Sequence, residues 1–154
     1  MAIPRPATLD AGSPPRRDSA AEGGAPGVTN EATRLRGIRG ATTVDANTQE
    51  AILQAATELL TSIIEANNIQ RDDVASVFFS TTTDLNAEFP AVAARQLGWT
   101  DVALMCGHEM YVPGSLPMCL RILMHVNTPK AQDEMRFVYL RGARALRPDL
   151  AGNA

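Results

Sequence analysis

The stretch "MCGHEMYVPGSLPMCLR", residues 105–121, gathers two cysteines, a histidine, a glutamate, a tyrosine and an arginine. Three chemistries compete for such a set. Cys106, His108, Cys119 and His125 are possible metal ligands, but they read C-x-H and then C-x5-H, whereas structural zinc sites use tightly paired knuckles. Cys119 and His125 share a strand face yet stand about 20 Å apart along it, so no metal is expected. A thiol nucleophile is the second option. Cys106 and His108 alternate onto one side of a strand, and Glu109 follows, but no third group orients the pair.

Charge is the third option, and Arg121 carries it. It lies in "CLRILMHV", where Cys119, Arg121, Leu123 and His125 fall on one face and Leu120, Ile122, Met124 and Val126 on the other. An arginine among apolar strand residues needs anionic partners. Two readings stay open: an internal salt bridge to Glu109, or a receptor for an anionic ligand. Arg39, in "GIRGATT", is flanked by Gly37 and Gly40, which permit close approach of a ligand. Arg95, Arg136 and Arg147 add further cations. Tyr139 is placed on one strand face with Phe137 and Arg141, where it offers a hydroxyl to a polar ligand or caps the core.

The elements that must position these groups begin near Leu35. "LRGIRGATTV" reads as a strand. "NTQEAILQAATELLTSIIEANN" reads as a helix with Asn47 as N-cap and Glu50 at the capping-box position. Ile52, Leu53, Ala56, Leu59, Leu60, Ile63 and Ile64 form its apolar face, and Asn67 and Asn68 end it. "VASVFFSTTTDL" and "DVALMC" are strands, separated by a short helix in "EFPAVAARQLG" with Pro90 near its start. "CLRILMHV" and "RFVYLRGARAL" are the last two strands, the second closed by Pro148. The order β-α-β-α-β-β-β predicts an α+β fold, with helices layered against a mixed β-sheet.

The chain has 154 residues, enough for one core. Its net charge of −3 and the lack of a long basic run give no nucleic-acid signal. No apolar run reaches the roughly 18 residues of a membrane span, and no export signal is seen in residues 1–34. Two cysteines do not make a disulfide framework, so a cytoplasmic location is expected. Residues 1–34 are rich in Pro, Gly, Ala and Ser without an aromatic residue, which predicts a disordered extension. Residues 35–150 form the folded domain, and 151–154 a short tail.

Five segments then converge on one family. "RGIRGATTV", "FPAVAARQLGW", "CGHEM", "CLRILMHV" and "VYLRGARALRPDL" occur in an order and at separations that resemble the monofunctional chorismate mutases of the Bacillus type. The resemblance covers residues 35–150. It implies a homotrimer with a pseudo-α/β-barrel core, active sites between subunits, no cofactor or metal, and conversion of chorismate to prephenate. Carried over by motif, Arg39, Glu109 and Arg121 are the catalytic set. Met105, Cys106, Gly107, His108, Tyr139, Leu146 and Arg147 join them in binding substrate, and Phe89 and Arg95 border the site from the neighbouring subunit. Two positions depart from the pattern: Val92 replaces a lysine and Met105 a threonine.

The implied reaction is a pericyclic rearrangement that needs no proton transfer and no nucleophile. The protein can hold the compact conformer and place fixed positive charge where the ether oxygen becomes negative. Arg121 suits that second role, and Cys106 becomes a polar contact rather than a nucleophile. Two other readings stand beside this one: a trimeric imine or enamine deaminase of similar fold, and a catalytically silent trimer that binds an aromatic-pathway acid.

Overall fold

The structure, a computed structural model, describes residues 32–149. The expected extension therefore lies mostly outside the described residues, as does the 151–154 tail. Arg34, assigned above to the extension, already pairs with Thr128.

Five strands and two helices follow in the expected order: β1 (Arg34–Thr43), α1 (Gln49–Asn67), β2 (Val74–Thr81), α2 (Ala91–Gln96), β3 (Ala103–His108), β4 (Cys119–Thr128) and β5 (Val138–Tyr139). Short 3-10 turns lie at Arg71–Asp73, Gln132–Glu134 and Arg141–Leu146. The strands form one sheet in the order β3-β2-β4-β1-β5. The β1–β4 and β2–β4 pairs are antiparallel, and β1–β5 and β2–β3 parallel, so the sheet is mixed.

Helix α1 covers one face of this sheet. Ile52, Ala56, Leu59, Leu60 and Ile63 are buried on it against Ile38, Val77, Phe79, Leu120, Ile122 and Met124. Burying one such Leu or Ile is worth about 1.5–3 kcal/mol relative to leaving it in water. Leu53 and Ile64, expected on the same stripe, are only partly buried at its margins, while Ala55 lies inside it.

The helix starts one residue later than its sequence reads. Thr48 is the N-cap, its Oγ1 accepting from the Ala51 amide at 3.2 Å. Glu50 therefore falls short of the capping-box position. Asn47 does other work: its Oδ1 accepts from the amides of Asn86 and Ala87 at 3.0 Å each, and its Nδ2 donates to Asn86 Oδ1 at 2.8 Å. The start of α1 thus holds the loop that leads into α2. At the other end Asn68 takes the left-handed conformation that closes a helix. Asn67 is buried; it accepts from the Arg136 amide at 2.7 Å and donates to the Arg136 carbonyl at 2.9 Å, fixing the approach to β5.

The last strand is shorter than "RFVYLRGARAL" predicts. Only Val138 and Tyr139 pair with β1. Arg141 has a φ of +51°, and its guanidinium bridges Asp45 at 3.1 Å and Glu58 at 2.8 Å. That backbone turns the chain into the Arg141–Leu146 helical turn, so Arg141 does not share a strand face with Tyr139 as expected.

Candidate active site

The face of the sheet turned away from α1 carries the chemistry. Strand register sets Gly107, Ser80, Arg121, Ala41 and Tyr139 in one row across all five strands. The next row holds Met105, Phe78, Leu123 and Arg39. Arg39, Ser80, Glu109, Arg121 and Tyr139 line a cavity of about 270 Å³, floored by Phe78 and Leu123.

Arg121 is only partly exposed, and its Nε stands 3.5 Å from Glu109 Oε2. That Nε is buried and has no hydrogen-bond partner. The sequence left two readings for this arginine, and the geometry contains something of both. The ion pair to Glu109 exists, but it does not saturate the guanidinium. Arg39 forms no ion pair among the described residues, so the cavity holds two cations against one carboxylate. Such a surplus favours an anionic ligand.

Glu109 is held from two sides. Ser80 Oγ donates to its Oε2 at 3.4 Å, and its amide donates to the Thr81 carbonyl at 2.8 Å. The Met110 amide donates to Oε1 at 3.1 Å. Ser80 was missed by sequence reasoning. Alternation along β2 was the available signal, since Ser76, Phe78 and Ser80 must fall on the face opposite Val77 and Phe79. Leu146 packs beside Tyr139, Ala41, Cys119 and Ala143. Arg147 is paired with Asp149 through two contacts, at 3.1 and 3.0 Å, and its charge reaches Tyr139. Neither Leu146 nor Arg147 lines the cavity.

The two glycines beside Arg39 differ in purpose. A Cβ on Gly37 would find only Leu123 at 4.0 Å, so the backbone there is open to approach. A Cβ on Gly40 would lie 2.7 Å from Ile63 Cδ1 and 3.1 Å from the Val138 carbonyl. Gly40 is small to admit α1, not a ligand.

The expected single cluster of residues 105–121 is split by the sheet. Cys106 pairs with Phe79, which pairs with Ile122, and all three sit in the layer on the α1 side. Cys106, Gly107 and His108 line a second cavity of about 300 Å³ with Thr81, Phe89 and Pro90. Burial pushes the Cys106 thiol above its ordinary range, against the opposing pull of a backbone hydrogen bond from Ala91 and the charge of Arg95. A raised pKa keeps the thiol protonated near neutrality, which disfavours a nucleophile and suits a hydrogen-bond donor. Phe89 is 67% exposed on its loop. Its amide donates to Glu88 Oε1, and Gln49 donates to Glu88 Oε2, both at 2.8 Å. Arg95 lies exposed on α2 and Met105 exposed on the open face; neither lines either of these two cavities.

Asp84 ties the long β3–β4 loop to β2. Its carboxylate accepts from the Met118 amide at 2.9 Å and from the Thr82 hydroxyl, and these bonds, the hydroxyl first, hold its pKa below the usual range. Met118 takes a φ of +51° at the entry to β4. The tether fixes where Cys119, and two residues later Arg121, enter the sheet.

Among the described residues no helix is long and apolar enough to cross a membrane. A family model for chorismate mutase type I matches residues 35–150. The chain is 53% identical over 117 residues to a chorismate mutase AroH of Thermus thermophilus, covering 75% of this chain and 96% of that protein. It is 49% identical over 118 residues to chorismate mutase AroH of Bacillus subtilis strain 168, covering 76% and 93%. Among solved structures, a chorismate mutase from Clostridium thermocellum superposes with a TM-score of 0.70 at 50% identity, covering 71% of this chain and 97% of the other. The resemblance drawn from five short motifs thus extends across the whole folded region, and the chain is an enzyme of the type I chorismate mutase family.

Proposed function

We propose that the chain rearranges chorismate to prephenate in the cytoplasm, in a site completed by a second copy of itself. The observation that carries this reading is the incompletely satisfied Arg121, whose buried Nε lacks a hydrogen-bond partner in a cavity with a surplus of positive charge. Chorismate has two carboxylates and develops negative charge on its ether oxygen as the C–O bond breaks. Arg121 faces that oxygen with the fixed donor fork of a guanidinium. Arg39 and Tyr139 take a carboxylate. Glu109, held by Ser80, accepts from the ring hydroxyl. No group moves a proton, so the rate gain comes from conformer selection and preorganised charge.

The second half of the site follows from the split across the sheet. Within one chain Cys106 and Phe89 cannot reach the Arg121 cavity. In a homotrimer, the Cys106–Phe89 cavity of one subunit closes over the Arg121 cavity of the next, with Arg95 at the rim. The open sheet face supports this assembly. Leu35, Phe78, Met105 and Leu123 are 55%, 37%, 65% and 37% exposed there, an apolar patch that a monomer rarely leaves in water. Between three such faces a closed pseudo-α/β barrel would form.

The test is incubation with chorismate, following the loss of its ultraviolet absorbance, together with the mass of the native particle. Turnover by a trimer is expected. A folded protein that leaves chorismate unchanged would overturn the function, and full turnover by a monomer would overturn the shared site.

A further inference from the structure

Ser80 is only 8% exposed and lines the Arg121 cavity. Strand register sets it directly between Arg121 on β4 and Gly107 on β3. Gly107 has no side chain to meet it. Glu109, two residues further along the chain, lines the same cavity. The Ser80 hydroxyl makes one hydrogen bond among the described residues, donating to Glu109 Oε2 at 3.4 Å.

The same carboxylate oxygen faces Arg121. Nε stands 3.5 Å from it, near enough for charge attraction, yet that Nε has no hydrogen-bond partner. The other oxygen, Oε1, accepts from the Met110 amide at 3.1 Å. Both oxygens of Glu109 are therefore held by donors other than the guanidinium. With the Ser80 hydroxyl gone, the orphaned Nε would be the nearest donor to Oε2. A small rotation of the carboxylate would turn the loose contact into a charge-assisted N–H···O bond, typically ~2.7–2.9 Å long. That closed pair would draw the guanidinium onto Glu109 and offset part of its charge.

We propose that Ser80 is a positioning residue that keeps the Glu109–Arg121 pair open, leaving the guanidinium its donors and charge for the substrate. This rests on the chorismate reading of the site. Negative charge on the ether oxygen develops only in the transition state, so a guanidinium drawn onto Glu109 lowers kcat more than it raises KM. Loss of one modest hydrogen bond sets the scale, a fall in kcat of about three- to tenfold. KM, governed mainly by Arg39 and Tyr139, should change by less than about twofold.

The experiment is steady-state turnover of chorismate by the full chain and by Ser80→Ala, Ser80→Thr and Ser80→Val, with the melting temperature of each. Thr and Val share a shape and differ in the hydroxyl. Ser80→Thr should keep kcat within about twofold of wild type, while Ser80→Ala and Ser80→Val show the loss. Equal kcat in the Thr and Val variants, or an unchanged kcat in Ser80→Ala, would overturn the proposal. A double-mutant cycle separates action through Glu109 from a packing effect. In a Glu109→Gln background the side chain carries no charge to offset that of Arg121, and Ser80→Ala should change kcat by less than about twofold. The full loss in both backgrounds overturns the proposal. A crystal structure of Ser80→Ala gives a readout independent of turnover: Arg121 Nε should lie within hydrogen-bonding distance of Glu109 Oε2, and an unclosed gap counts against the proposal. Absence of turnover by the wild type would instead count against the function itself.

Discussion

Gly37 and Gly40 stand three residues apart on β1, with Arg39 between them, and face opposite sides of one sheet. On the Gly40 side α1 packs directly against the strand, and a single methyl group would strike Ile63. On the Gly37 side the strands present Leu35, Arg39, Phe78, Arg121 and Leu123 to open space or to a cavity. The covered side shows how the chain folds. The open side shows what it still lacks: a ligand for its arginines and a cover for its apolar residues. Strand alternation forces the division, because any residue that builds the core has neighbours that cannot.

The sharpest way to break the comparison is Arg121→Ala. It should lower kcat by at least ~10²–10³, the loss typical of one preorganised donor, while melting temperature stays close to wild type. Arg121→Lys should fail in large part, since an ammonium cannot reproduce the fork. Near-normal turnover by a folded Arg121→Ala protein would remove the electrostatic role.

The two glycines give the next largest effect. Gly40→Ala should destabilise by about 1–3 kcal/mol, the cost of overpacking a filled core. Gly37→Ala should change stability by less than about 0.5 kcal/mol. Chemical denaturation measures both. An equal loss at Gly37 would mean that another subunit packs within reach of that backbone, which would sharpen the picture of the open face rather than abolish it.

These two glycines also mark what was legible in the sequence. Periodicity gave the order of elements, the apolar stripe of α1 and the two-faced character of β4. It also offered Arg39 and Arg121 as candidate anion receptors. It did not separate the roles of Gly37 and Gly40, because that depends on where α1 lies. Asn47 and Thr48 are both good caps, and only the position of the 86–89 loop decides between them. The last strand was read too long because the ion pairs of Arg141 with Asp45 and Glu58 join residues far apart in sequence. Cys106 and Arg121 were read as neighbours in one segment, whereas register sets them on opposite faces. Ser80 went unnoticed because its partner, Glu109, arrives from another strand.

A smaller effect concerns pH. Burial raises the Cys106 thiol, so its ionisation is displaced to higher pH than that of a free thiol. We expect kcat to be flat between about pH 6 and 8.5. Any decline should begin only on the alkaline side of the ordinary thiol range and vanish in Cys106→Ser. A bell-shaped kcat curve centred near neutrality and retained in that variant would point to proton transfer instead. Smallest of all, deletion of residues 1–31 should leave melting temperature and kcat/KM unchanged, as thermal unfolding and turnover of the shortened chain would check.

The sheet order β3-β2-β4-β1-β5 has a consequence for how the protein is made. The first strand to leave the ribosome takes its partners from the last two, so Arg39 has no sheet to join until nearly all of the domain has been synthesised. At ~5–20 residues per second, β1 waits several seconds with both edges unpaired. Contacts of such long sequence separation also slow folding. A nascent chain arrested before β4 would expose the edges of β1 and β2 and the apolar stripe of α1 together. Premature stop codons upstream of Cys119 should therefore yield chaperone-bound or degraded fragments rather than a folded, partly active subdomain.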